Sequence, residues 1–373
     1  MIYFDNAATT KPSKTAIEKA GIFNGEHFFN PSTLYSGGLN CAREIKLARE
    51  NLLKNIGALN HELIFTSCGS ESDNMAIFCS VKRGTFVTDK GEHSAVYKSF
   101  LELKNRGLKV EFIGLNEDGR VDTNLLYDFA KNNKVDFLSI VHVNNETGAI
   151  NDVNAIAKKI KEINPKTIVH VDGVQAYGKL EYKIGKEIDL YSISAHKING
   201  IKGVGALIRK KGVNLSPMIF GGGQENDLRS GTENVFGIKV FEYAAMEKYQ
   251  NLKENYNKTA EIKNYISNGL NKDIFTVISG ENSSPYILTV SAKGLRGEVV
   301  MHSLESEGVI IGNGSACSSK NRFSRVIEAC GYKNDVLDGV IRISFSVEST
   351  MEEAVEFTKI LNTTVEKLKG ILS

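Results

Sequence analysis

Lys197 closes the run Ser194-Ala195-His196-Lys197, downstream of the segment Val169-His170-Val171-Asp172 and of Gln175. These residue types could share the work of holding an aldehyde cofactor. A lysine amine forms an imine with the aldehyde, a carboxylate holds a protonated ring nitrogen, and serine and histidine donate to a phosphate. That is the partner set pyridoxal 5'-phosphate requires. A lysine in a partly buried pocket also loses basicity and becomes nucleophilic. Each residue has a plainer reading when taken alone. Asp172 is a helix cap, and Lys197 with Gly200, Gly203 and Gly205 is a surface turn. The weight lies in their combination.

Four further constellations have types suited to chemistry. In Thr66-Ser67-Cys68-Gly69-Ser70-Glu71 a strand end passes through a glycine turn into a helix start, where free N–H groups attract phosphate; an unliganded serine cap is the alternative. Gly221-Gly222-Gly223, followed by Arg229 and Thr232, suggests a close backbone approach with two polar contacts, or else a flexible surface loop. His93 follows a strand and could stack on a flat ring. Cys317, in Asn313-Gly314-Ser315-Ala316-Cys317-Ser318-Ser319-Lys320, sits among small polar residues and outside any apolar stripe, as an accessible loop thiol would. Cys41, Cys79 and Cys330 lie in helical patterns and read as buried structural residues, while Cys68 is intermediate.

The elements that must position these groups follow from periodicity. Short β-rich runs at 62–66, 84–88, 110–115, 136–143, 167–171, 190–194 and 204–209 alternate with amphipathic helical runs, such as the stripe Val153, Ile156, Ala157, Ile160 and Ile163. Several of the strands are almost continuously apolar, as in a sheet covered on both faces. The alternation predicts an α/β fold with a mostly parallel sheet. After about residue 240 a long polar helical stretch, 239–270, leads to sparser elements. These are strands at 286–291, 309–311 and 341–345, a helix at 298–307 and a final helix opening on the capping box Thr350-Met351-Glu352-Glu353. They suit a small α+β lobe. We expect a large domain at 16–255 and a small one built from 1–15 plus 256–373.

Composition narrows the function classes. The chain has 373 residues, 41% hydrophobic and 24% charged, with a net charge of +2. Such a balance gives no electrostatic case for direct nucleic-acid or membrane binding. No apolar run reaches membrane-spanning length, and the first residues do not read as a signal peptide, so we expect a cytoplasmic protein. Five scattered cysteines without a C-x-x-C pair argue against a disulfide framework or structural zinc, and no metal is expected.

Taken together, the motifs resemble the cysteine desulfurases of the class V aminotransferase family, long-loop branch, with a short C-terminus. The resemblance runs from Tyr3-Phe4-Asp5-Asn6-Ala7-Ala8-Thr9-Thr10 through Asn30-Pro31-Ser32, Ser70-Glu71-Ser72-Asp73-Asn74, Glu92-His93, Val143-Asn144-Asn145-Glu146-Thr147-Gly148, His170-Val171-Asp172, Ser194-Ala195-His196-Lys197 and Arg229-Ser230-Gly231-Thr232 to Gly314-Ser315-Ala316-Cys317. It implies a fold type I pyridoxal-phosphate enzyme that converts L-cysteine to L-alanine, with the sulfur captured as a persulfide on Cys317. Lys197 would carry the cofactor as an imine and shuttle protons. Asp172 would pair with the ring nitrogen and Gln175 with the ring hydroxyl, while His93 would stack and assist proton transfer. Gly69, Ser70, Ser194 and His196 would hold the phosphate, and Thr232 would reach the phosphate site of a neighbouring subunit in a homodimer. Asn145 would contact the cofactor, and Asn145 and Arg342 would bind the substrate carboxylate.

The chain departs from the family pattern in places. Cys68-Gly69-Ser70 stands where a Gly and a Thr usually precede the Glu. Asn313 replaces a common serine, and the run after Cys317 lacks the usual Glu-Pro-Ser. The sulfur acceptor implied is an iron–sulfur scaffold protein or a tRNA-thiolation enzyme. Alternatives are a selenocysteine lyase, another pyridoxal-phosphate enzyme of this fold, and a catalytically silent binding protein.

Overall fold

A computed structural model describes residues 1–58, 60–313 and 323–372. Twelve strands are found among them: β1 (Ile2–Phe4), β2 (His61–Thr66), β3 (Thr85–Asp89), β4 (Lys109–Ile113), β5 (Phe137–Val141), β6 (Ile168–Asp172), β7 (Leu190–Ser194), β8 (Gly205–Lys210), β9 (Phe275–Val277), β10 (Ile287–Ala292), β11 (Val309–Asn313) and β12 (Val340–Ser344).

The larger sheet has the order β2-β8-β7-β6-β5-β3-β4. From β7 to β4 every pairing is parallel, and only β8 runs against its neighbours β7 and β2. All five residues of β3, β5 and β7 are buried, which explains the largely apolar sequences of β5 and β7. Alternate side chains serve two cores. On β5, Leu138 and Ile140 pack with Leu52, Leu126, Ile156, Ile160 and Phe241, whereas Phe137 packs with Met75, Phe86, Phe100 and Leu103 on the opposite face. The period-two pattern of one strand thus seats helices Gly69–Ser80 and Ser94–Asn105 on one side and Ser36–Asn55, Thr123–Asn132, Val153–Ile163 and Val235–Gln250 on the other.

The second sheet has the order β1-β11-β12-β10-β9 and is antiparallel apart from the β1–β11 pair. Its core joins Phe4, Leu288 and Ile343 to Ile262, Phe357 and Leu361 of the helices Leu252–Gly269 and Met351–Leu372. The final helix opens on the expected reciprocal cap. Glu353 N–H donates to Thr350 Oγ1 at 3.2 Å, and Thr350 N–H donates to the Glu353 carboxylate at 3.0 Å.

One expectation changes. The stretch 239–270 is not one helix but two, Val235–Gln250 and Leu252–Gly269, broken at Asn251. The first buries Phe241 and Ala245 in the large core, and the second buries Ile262 and Ile266 in the small one. The break is therefore where the chain leaves one core for the other. β1 and β9, three residues each, are too short to show a periodicity. β1 matters, because it carries the segment after it across to the larger sheet. Asn6 N–H donates to Ser344 O at 3.2 Å, and Thr10 N–H donates to His196 O at 2.9 Å.

Candidate active site

Parallel β3, β5, β6 and β7 end at one edge, where ligands of open α/β sheets gather. Asp172 is the last residue of β6 and Ser194 the last of β7, while Asn145 and His93 follow β5 and β3 closely. These four, with Gly69, Ser70, Gln175, His196, Lys197 and Arg342, line one cavity of about 340 Å³. A wider groove of about 920 Å³ beside Tyr182 and Asn257 holds none of them. Convergent chemistry, rather than size, locates the site.

Asp172 is buried, and its Oδ1 accepts from Val174 N–H at 3.0 Å. Burial pushes its carboxyl up to about 6, against the pull of that N–H and of the Lys197 charge. Gly173 makes this turn feasible, since a Cβ there would stand 1.9 Å from the Tyr191 ring.

Across the cavity, helix Gly69–Ser80 starts with no side-chain cap at Cys68. Its first N–H groups and dipole face the cavity region lined by Gly69 and Ser70. A Cβ on Gly69 would meet Val174 Cγ2 at 2.8 Å, so only glycine allows the helix start to come this close to the turn after β6. Ser194 Oγ, buried in the same wall, has no hydrogen-bond partner. An orphaned hydroxyl beside uncapped N–H groups is a fitting cradle for a phosphate. Glu71, in the first turn, would repel an anion if its charge were free. It is instead occupied by Arg229 Nε at 2.8 Å and Ser67 N–H at 2.7 Å. Burial works upward on its carboxyl, but those bonds hold it below the usual range.

Lys197 ends a single 3-10 turn, Ala195–Lys197, directly after β7. Its Nζ donates to the carbonyls of Ala7 at 2.6 Å and Ala8 at 2.7 Å. His196 Nδ1 lies 3.2 Å from Thr9 Oγ1, and burial with nearby Lys197, Lys179 and Lys202 lowers the ring to about 4. His93 caps helix Ser94–Asn105, its Nδ1 accepting from Ala95 N–H at 3.2 Å. Burial, then Lys197, Arg325 and Arg342, push it down to about 4. At neutral pH His93 is therefore uncharged, with its proton on Nε2. Arg342, on β12, donates from Nη1 to Asn145 O at 3.0 Å and from Nη2 to Asp5 Oδ1 at 2.8 Å. Its buried Nε has no partner.

Thr232 does not join this cavity. It is exposed and lines a separate recess of about 140 Å³ with Ser67 and Arg229. Arg229 braces Glu71, and the Gly221–Gly223 turn approaches its own chain, with Gly221 packed towards Ser230. Cys317 lies outside the described residues. Cys41, Cys79 and Cys330 are buried.

Several residues at the site lie in or near the matched segments but have no role assigned from the sequence. Asp73 lines the cavity, and its carboxylate, that of Asp172 and a ring nitrogen of His93 lie within 4.8 Å of one another. Burial and the Asp172 charge push Asp73 well up. Behind it, His170 Nε2 sits 3.6 Å from Asp73 Oδ1 and 3.0 Å from Ser192 Oγ, while His170 Nδ1 meets Ser139 Oγ at 2.9 Å. Ser139 Oγ in turn donates to Glu92 at 3.1 Å. Arg325 donates to the backbone carbonyls of Lys90 and Glu92 and stacks on Tyr97, fixing the loop that presents His93.

A family model for "Aminotransferase class-V" matches residues 2–357. The chain belongs to the class-V aminotransferase family. One relative, the cysteine desulfurase IscS of Dictyoglomus turgidum, is 35% identical over 99% of this chain and 96% of its own length. A solved NifS-like protein superposes with a TM-score of 0.92 at 31% identity, covering 98% of this chain and 99% of that one. A solved SspA in complex with cysteine gives a TM-score of 0.78 at 27% identity, covering 93% and 99%. Members of the class-V aminotransferase family with this architecture are mixed α/β enzymes of fold type I. In this chain no described helix is long and apolar enough to cross a membrane. Chemically, the cavity offers an amine, a buried carboxylate, an uncapped helix start, a neutral imidazole and an arginine fork around one space.

Proposed function

We propose that the chain is a pyridoxal-phosphate-dependent cysteine desulfurase, converting L-cysteine to L-alanine with the sulfur captured on Cys317. The observation that carries this reading is the convergence of Lys197, Asp172 and the partnerless Ser194 hydroxyl on one cavity. It occurs in a chain aligned end to end with a cysteine desulfurase. The residues fit the cofactor: Gly69, Ser70, Ser194 and His196 would hold the phosphate, Asp172 the ring nitrogen, Gln175 the ring hydroxyl, Asn145 the ring surroundings and Lys197 the aldehyde carbon. When bound, pyridoxal phosphate supplies an electron sink for charge developing on the substrate.

The chain's own residues do the rest. The Arg342 fork, steadied by Asp5 and Asn145, matches the substrate carboxylate. Lys197 Nζ, released from the Ala7 and Ala8 carbonyls, exchanges protons with the substrate. His93, neutral at working pH, holds or moves a proton at Nε2. Overall the substrate Cβ–S bond breaks, an S–S bond forms to Cys317 Sγ, and a proton takes the vacated position on Cβ. The persulfide passes to an acceptor, an iron–sulfur scaffold or a tRNA-thiolation enzyme, from a cytoplasmic homodimer in which Thr232 serves the neighbouring subunit.

The test is Cys317→Ala. We expect a coloured protein that binds L-cysteine and forms no persulfide, read by labelled sulfur on the protein. Undiminished label would rule out Cys317 as the acceptor.

A further inference from the structure

Lys179 is a buried amine that no step above uses. It lies one helical turn beyond Gln175 in the turn segment after β6, and its Nζ donates to Gln175 Oε1 at 2.7 Å. The Tyr286 ring covers it with the centroid 5.7 Å from Nζ. Its hydrogen bond thus goes to a neutral amide rather than a carboxylate, an expensive placement for a lysine. Burial, and then the facing charges of Lys197, Lys248 and Arg342, lower its pKa well below the ordinary lysine value.

The other end of the same carboxamide donates from Nε2 to Ala7 O at 2.9 Å. A carboxamide has two flips of nearly identical shape. Here one side meets a lysine donor and the other a carbonyl that can only accept, so both contacts select the same flip. Ala7 O is shared, since it also accepts from Lys197 Nζ. Lys179 is the fixed half of the clamp. With its flip fixed by Lys179 at Oε1 and by Ala7 at one N–H, Gln175 keeps its second N–H as a donor for the cavity it lines.

We propose that Lys179 is a positioning residue that locks the Gln175 carboxamide as a donor to the cavity, so that the site selects a ligand bearing an anionic ring oxygen at that point. This rests on the pyridoxal-phosphate reading, in which that atom is the phenolic oxygen. A donor there draws charge from the oxygen and weakens its hold on the neighbouring imine proton, lowering the pH at which the bound chromophore changes colour.

The experiment is a pH titration of the visible absorbance of the loaded enzyme in wild type, Lys179→Met, Gln175→Ala and the double variant, with thermal midpoints as the folding control. Each single variant is expected to raise the colour midpoint by about one pH unit, the size of one hydrogen bond to a charged group. The double variant is expected to match Gln175→Ala, because Lys179 acts through Gln175. Lys179→Leu gives the same comparison if Lys179→Met does not fold. Shifts that add in the double variant would make Lys179 an electrostatic bystander and overturn the assignment, as would an unshifted midpoint in the Lys179 variants of a coloured enzyme. A wild-type protein that never colours when loaded overturns the cofactor reading and this assignment together.

Discussion

The floor and the lip of the cavity are built differently. The floor is built from the larger sheet and the helix packed on it: Ser139, His170, Asp172 and Ser192 on the strands and Asp73 on helix Gly69–Ser80, with Glu92 behind, all buried. Its titratable groups face one another. Burial raises Asp172 to about 6 and Asp73 well above its ordinary value, and lowers His170 to about 3. The lip consists of the Ala7 and Ala8 carbonyls, Lys197, Asn145 and Arg342, tied by bonds between the two sheets. The difference divides the work. The floor fixes protonation states inside one rigid sheet, where dipoles cannot reorganise. On the proposed function the lip holds groups that release one partner and take another, and its carbonyl and ion-pair contacts suit that exchange.

The strongest way to break the lip is Lys197→Ala, which removes the amine that the proposed function uses as its nucleophile. Turnover should fall by about 10³-fold or more with an unchanged thermal midpoint, measured as alanine released from L-cysteine. The strongest break of the floor is Gly173→Ala, whose methyl would overlap the Tyr191 ring, itself bonded through its hydroxyl to His142 at 2.9 Å. We expect a loss of about 3 kcal/mol of stability, read by chemical denaturation. A full-stability variant would show that the turn after β6 can shift. Arg342→Lys sharpens the contrast, since it keeps the charge and loses the fork. KM for L-cysteine should rise about 10- to 100-fold with little effect on stability.

The mildest test uses pH. In the empty cavity Asp172 loses its charge as pH falls through about 6, and a neutral acid cannot pair with a ring cation. Affinity of the apoprotein for pyridoxal phosphate should therefore decline below that pH. Asp172→Asn should lower affinity throughout and abolish the inflection at about 6; an inflection surviving in that variant would assign it elsewhere.

Much of the floor is legible in the order of residues along the chain. Asp172 and Ser194 stand at the ends of apolar runs, and a parallel sheet sends such ends to one edge. Gly69 and Ser70 announce themselves as a strand-to-helix turn. Asp73 does not, because it is one more polar residue in a helix until β6 is placed beside it. His170 alternates within a strand and reads as ordinary, yet it joins Asp73 to Ser139 and Ser192. The split at Asn251 is illegible because a polar helical pattern continues through it, and the break is enforced only by two separate cores.

By itself the sequence determined the layered α/β lobe, the strand-to-helix turn at Gly69 and the capping box at Thr350. Each depends on periodicity or on neighbours within a few residues. Only the tertiary structure decided the lip. Arg342 meets Asp5 across 337 positions, and Lys197 meets Ala7 across 190. No local pattern encodes such meetings. They exist because β1 pairs with β11 in the smaller sheet and draws residues 5–10 across to β7, so burial of one core places the groups that close the other.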